Sequence, residues 1–313
     1  MRFILYAIFA VICIACTNGN FSNNQERKEH NPSTLAGEQL GARLFFDPAL
    51  SVNGKVSCAS CHQPQHGFAD TVAFSKGVTG KSLLRHTPSL WNAKKQQALF
   101  WDGGARNLES AAFGPLRHVD EMGNQDLNLL LSRLKNKGDY PVLFKEAFGS
   151  DTITSAALVR ALAQYQRIIL PPKSRYDSVL QGTLVFSEVE TKGKKLFERY
   201  CTSCHTTPDF TDYAYHNNGL DSQFSSDKEG VYQGRYRITL DSLDMGKFKT
   251  PSLIGVSKTA PYMHDGRFKT LNEVLEHYRY AIKKSKTLSP LLNNGIPLSD
   301  EEQQALKSFL ETL

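Results

Sequence analysis

This 313-residue sequence has no cysteine to spare. Of its six cysteines, four fall into two copies of one spacing, and the other two, Cys13 and Cys16, lie in the first sixteen residues. No structural disulfide is therefore expected. The apolar run that opens the chain, in MRFILYAIFAVICIAC, stops short of the roughly 20 residues a membrane-spanning helix requires. No stretch alternates with period two for long enough to suggest a large sheet. Charge of one sign is not concentrated either: Lys and Arg are scattered through NQERKEH, NAKKQQ, RLKNKG and AIKKSK, so a formal net charge of +6 reads as solvated helix faces and loops. A nucleic-acid role has no supporting motif.

What is present is a five-residue signature in two copies: CASCH, with Cys58, Cys61 and His62, and CTSCH, with Cys201, Cys204 and His205. Two thiols separated by two residues can form thioethers with the two vinyl groups of one porphyrin, and the adjacent His reaches the iron. Each copy therefore predicts one covalent haem c. A zinc ribbon would place its cysteine pairs within about 15 to 20 residues of each other, whereas roughly half the chain intervenes here. A thioredoxin-like redox pair explains neither the duplication nor the His after each pair.

The opening segment reads as an export signal over residues 1–15, followed by a polar tether over 16–34. Cleavage before Cys16 would leave its thiol to carry lipid. Cys13 stands where lipoprotein signals usually have Leu, so a plain secretory peptide is the alternative. Either way the mature protein is expected outside the cytoplasm, in the periplasm, where bacteria attach haem c; with the lipoprotein-type signal it is also expected to be lipid-anchored to a membrane.

The remainder fits a mainly α protein of two haem domains packed together and loop-rich around the haems: an N-terminal domain over 35–175 and a C-terminal one over 183–313, divided near Pro171 and Pro172. Ser187 with Glu190, Thr270 with Glu273 and Ser299 with Glu302 have capping-box spacing. The first box starts a helix with Gly193, Leu196, Phe197 and Tyr200 on one face, ending at the second motif. The last starts an amphipathic terminal helix with Ala305, Leu306, Phe309, Leu310 and Leu313. ITSAALVRALAQYQRIIL is a further helix, stopped by the proline pair.

In order along the chain, FFDPALS, SCASCH, RHTPSLWN, FWDG, GPL followed by DEMG, CTSCH, FKTPSL, TAPYMHDG and LSDEE resemble the bacterial di-haem cytochrome c peroxidase and MauG superfamily, from about residue 36 to the C-terminus. The resemblance implies two cytochrome c-like domains, with His62 the proximal ligand of a peroxide-reacting haem and His205 that of an electron-relay haem. It makes Glu121, in DEMG, the distal carboxylate that shuttles a proton between peroxide oxygens. It makes Trp101, in FWDG, the indole between the haems; on its own that residue reads as a core aromatic. His264, in PYMHDG, is implied as a hydrogen-bond partner of a haem propionate.

Departures from the family pattern carry their own expectations. Val78 stands about where other members have a His that caps the resting peroxidatic iron, which predicts an iron that is open without reductive activation. Tyr278 stands where many members have a Met ligand to the relay iron, as in MauG-like proteins. An anionic oxygen donor favours the higher oxidation states. His277, Met263 and Met245 are the alternative ligands. A calcium between the domains, held by backbone at Thr259 and Pro261, is implied too, but the family's Asn ligand is His86 here, a poor donor for a hard cation. FWDGRA has become FWDGGA, and Ala111 replaces a distal Gln.

The expected activity is reduction of hydrogen peroxide to water, with electrons from a small cytochrome c or copper protein that a weakly basic surface can steer. Two alternatives stay open: a MauG-like oxidase that turns peroxide on a protein or organic substrate, and a non-catalytic di-haem electron-transfer cytochrome. Membrane association would come through Cys16, and an oligomer is compatible with the sequence.

Overall fold

Three helix starts form through the expected exchange of hydrogen bonds. Glu190 N donates to Ser187 Oγ at 3.2 Å and Ser187 N donates to Glu190 Oε2 at 2.7 Å. Thr270 with Glu273 and Ser299 with Glu302 do the same, satisfying amides that a helix N-terminus leaves unpaired. These boxes open the helices Glu188–Tyr200, Leu271–Glu276 and Asp300–Leu310. Ser155–Arg167 is capped by Thr154 and ends ahead of Pro171 and Pro172.

These details come from a computed structural model that describes residues 30–224 and 230–313. The expected signal, most of the tether and the anchor at Cys16 lie outside the described residues. Among the described residues, no helix is long and apolar enough to cross a membrane. The fold is mainly helical, and its one small sheet among them pairs Tyr215–His216 with Phe248–Lys249, antiparallel.

Ser33–Leu313 holds together as one unit around two apolar cores. The first is built on Leu44, Phe45, Leu130, Tyr140, Phe144 and Leu158. The second gathers Phe197, Phe210, Leu275, Leu306, Phe309 and Leu310. Each core contains a close helix crossing made possible by a glycine. A Cβ on Gly41, in Leu35–Phe46, would lie 2.0 Å from the Ala161 carbonyl oxygen of Ser155–Arg167. A Cβ on Gly193 would lie 1.9 Å from Ala305 O of the terminal helix.

Alanine normally gains up to about 1 kcal/mol over glycine inside a helix. At Gly193 the overpacking cost, roughly 1–3 kcal/mol or more, opposes that gain and exceeds it. Gly193→Ala is therefore expected to unfold a few degrees below the wild type in a thermal melt. A higher Tm would mean that the helices part without penalty.

Candidate functional site

Both cysteine motifs adopt the same turn. Cys61 N and His62 N donate to Cys58 O at 3.2 and 2.9 Å, while Cys204 N and His205 N donate to Cys201 O at 3.2 and 2.8 Å. One helical turn therefore sets two sulfurs and an imidazole on one surface. Burial pushes the Cys58 and Cys201 thiols up to about 12 and lowers the pKa of both His rings.

The ring orientation is fixed in the same way twice. His62 Nδ1 lies 2.9 Å from Phe68 O, and His205 Nδ1 lies 3.0 Å from Phe210 O. A carbonyl can only accept, so Nδ1 carries the proton and Nε2 keeps its lone pair for a metal. Each Phe has positive φ, 56° and 52°, which turns its carbonyl toward the ring. The tetrapeptide TPSL supports each turn. Ser89 Oγ donates to Gly67 O and Ser252 Oγ to Asp209 O, both at 2.6 Å, and the Pro88 and Pro251 carbonyls also face the respective rings. The TPSL shared by RHTPSLWN and FKTPSL is the sequence signal of this support.

One cavity carries both motifs on its wall, and Trp101, Glu121, Thr259, Pro261, His264 and Tyr278 line it too. Glu121 sits in the turn after the helix Leu108–Arg117. Asn124 anchors that turn, donating to Leu50 O at 2.7 Å and Leu116 O at 2.9 Å, and Arg133 holds Asn124 in place at 2.7 Å. The segment containing Val78 is clamped over it. Val78 N donates to Glu121 O at 2.9 Å, and Thr79 Oγ1 donates to Asp120 Oδ1 at 2.9 Å. Only glycine allows this approach, because a Cβ on Gly77 would lie 1.9 Å from Asp120 O. The Glu121 carboxylate is 3.8 Å from His118 Nδ1.

Trp101 bonds to segments from both halves of the chain. Its Nε1 donates to His86 O at 2.8 Å, and its carbonyl accepts from Lys249 N at 2.8 Å. His86 N in turn donates to His264 O at 2.8 Å. The His264 ring stacks on Phe248 with centroids 3.7 Å apart and planes 10° apart. Among the described residues its Nε2 is buried without a hydrogen-bond partner, and burial drops its pKa to about 4. A neutral imidazole with one orphaned ring nitrogen is what a buried site leaves open for a group yet to bind.

Tyr278 lies in a π-helical turn, His277–Ala281, that follows Leu271–Glu276. The α-helical spacing changes there, and the wider turn sends adjacent residues different ways. His277 is directed to Asn218 O, with Nε2 at 2.9 Å. Tyr278 and Met263 face the cavity, and neither His277 nor Met245 lines it. Asn218 Nδ2 lies 3.4 Å from Tyr278 Oη and 3.5 Å from Met263 Sδ. Burial pushes the Tyr278 phenol up to about 12. His86 turns Nδ1 to Val72 O at 3.1 Å. Among the described residues, Cys204, Asp212 and His216 form a group close enough to hold an ion; Cys204 belongs to the second motif, which leaves His216 and Asp212 as a pair at 2.7 Å beside it.

Two free thiols and a His with an available Nε2 at each motif, on the wall of a shared cavity that also holds an orphaned His264 Nε2, fit two covalently attached haems. Comparison with known proteins points the same way. Residues 36–184 match the family described as di-haem cytochrome c peroxidase, and residues 190–313 match cytochrome c. The chain is 36% identical to the methylamine utilization protein MauG of Methylorubrum extorquens, over 90% of this chain and 79% of that protein. It is 31% identical to the cytochrome c551 peroxidase of Nitrosomonas europaea, over 80% and 75% respectively. A crystal structure of a MauG-like protein associated with microbial copper homeostasis superposes with a TM-score of 0.83 at 33% identity, covering 90% of both chains. The chain belongs to the di-haem cytochrome c peroxidase and MauG family, an oxidoreductase family, with two cytochrome c-like domains and two c-type haems.

Proposed function

We propose that this protein is an exported di-haem peroxidase that reduces hydrogen peroxide to water at the His62 centre, drawing electrons from a small cytochrome c or copper protein through the His205 centre. The observation that carries this reading is the single cavity on which both motifs, Glu121 and Trp101 converge. When bound, the haem at His62 supplies an iron at which the peroxide O–O bond breaks, and the haem at His205 supplies a second redox centre. Overall, H2O2, two protons and two electrons give two waters.

The residues then divide the work. His62 and His205 offer Nε2 because Nδ1 is committed to a carbonyl. Glu121 takes a proton from one peroxide oxygen and returns it to the other, the task of a general acid–base group at such a centre. Its backbone is held from two sides, by Val78 N and through Asn124, so the carboxylate is pre-positioned. Trp101, bonded to both halves of the chain, would serve as the electron path, His264 Nε2 would hold a propionate, and Tyr278 would ligate the second iron. The calcium expected at Thr259 and Pro261 draws less support, since His86 brings no oxygen there. Export and a lipid anchor on Cys16 complete the proposal, because the haem c of bacteria is attached outside the cytoplasm.

A MauG-like oxidation of a protein or organic substrate is the second reading, favoured by Tyr278 on the cavity wall and by Val78, which cannot ligate iron, in the clamped segment. Electron paramagnetic resonance of the fully oxidised protein, before and after one equivalent of peroxide, tests both. One high-spin and one low-spin signal are expected, with peroxide consumed and two reduced donor cytochromes oxidised per peroxide. Two low-spin signals that become reactive only after one-electron reduction would mean that another residue caps the His62 iron. Peroxide consumption that leaves the donor reduced while a protein or organic substrate is oxidised would favour the second reading.

A further inference from the structure

Lys249, on the strand Phe248–Lys249, brings a positive charge to the wall of the shared cavity. Its Nζ donates to Gln96 Oε1 and to Ala98 O, each at 2.7 Å. An ammonium has three donors, and both of these acceptors are neutral. Asp102, the carboxylate that acts on Lys249 from a distance, is already taken by Arg85 at 2.7 Å and Arg237 at 3.0 Å. Among the described residues, no carboxylate forms an ion pair with Lys249.

By surface area the side chain is only part-buried, because the cavity lies open beside it. The surrounding protein still desolvates the ammonium enough to lower its pKa to about 8. A charge withdrawn from water in this way calls for an opposite charge. The two haems that the cavity accommodates each carry two propionates, which are anions of the right chemistry. The Lys249 backbone N–H itself donates to Trp101 O at 2.8 Å, and His264, with its orphaned Nε2, lines the same cavity.

We propose that the Lys249 ammonium is the counter-ion of a haem propionate where the two cores meet, holding that carboxylate beside Trp101 and raising the electron affinity of the haem that bears it. Lys249 reaches Gln96 and Ala98 in the first half from a strand in the second, so the same pair ties the halves together through the cofactor. A nearby positive charge favours the iron state that holds one electron more. The proposal rests on the two-haem reading of the cavity and is independent of peroxidase activity.

The test uses the haem-loaded protein and its Lys249→Met and Lys249→Arg variants, each first checked by mass for two haems per chain. In Lys249→Met, the reduction equilibrium constant of one haem is expected to fall at least about tenfold, which is 59 mV for one electron. The propionate bending band in its resonance Raman spectrum should shift as well. Lys249→Arg should stay within about threefold of the wild type, because the charge is retained. If Lys249→Met does not accumulate, Lys249→Gln, which keeps a donor for Ala98 O, must show the same drop. Both potentials and both propionate bands unchanged in either neutral variant would overturn the proposal, whereas a wild-type protein with fewer than two haems would overturn the two-haem reading itself.

Discussion

Glu121→Gln is expected to lower peroxide turnover by roughly 10²- to 10⁴-fold, the usual contribution of a positioned general acid–base group, while both haem spectra stay as in the wild type. The substitution keeps the size of the side chain and removes its ability to accept and return a proton. It leaves the clamp intact, because Val78 N bonds the Glu121 backbone carbonyl and Asn124 anchors the turn through other carbonyls. The loss should therefore appear in the chemical step and not in folding or haem content. Stopped-flow mixing with peroxide reads it directly. Turnover within about threefold of the wild type would move the proton-carrying role to another group, such as His118, whose Nδ1 lies 3.8 Å from the Glu121 carboxylate.

Tyr278→Phe should raise the midpoint potential of the His205 centre by on the order of 100 mV, about a fiftyfold change in its reduction equilibrium at 59 mV per tenfold. An anionic oxygen on iron stabilises the oxidised metal, and Phe removes the oxygen while keeping the ring. Burial by itself pushes the phenol up to about 12, so the metal's own charge has to supply the drive to lose that proton. Met263 is placed to take over: its Sδ lies 3.5 Å from the Asn218 Nδ2 that also reaches Tyr278 Oη at 3.4 Å. Thioether ligation would lift the potential further. Spectroelectrochemistry of the two proteins decides the matter, and an unchanged potential would reduce Tyr278 to a packing residue.

The two haem motifs could be read from sequence because covalent attachment imposes their spacing, and the helix starts could be read because a capping box is a local hydrogen-bond exchange. Ser187, Thr270 and Ser299 each form that exchange. What escaped depends on contacts between distant segments. The π turn at His277–Ala281 separates two neighbouring residues, sending His277 to Asn218 and Tyr278 to the cavity. A stripe drawn at helical spacing has no term for that. Gly77 reads as an ordinary loop glycine until Asp120 is found against it. Lys249 reads as one letter of the FKTPSL motif until its neighbours Gln96 and Ala98, about 150 positions earlier, close around it. The positions of Glu121 and Trp101 came from the ordered family motifs, since neither residue announces a role in its local sequence.

The carbonyl of a left-handed Phe and a TPSL segment recur at His62 and His205, and a close glycine crossing recurs in the core behind each. Twin mounts of this kind fix each imidazole in the same tautomer, with Nδ1 committed and Nε2 free for a metal, so the mounts do not by themselves set the centres apart. Asymmetry must then originate in what differs: Glu121 under its Val78 clamp at one centre, Tyr278 with Asn218 at the other. The task of either centre can therefore diverge by exchanging a handful of side chains, with no change to the parts that hold the imidazole.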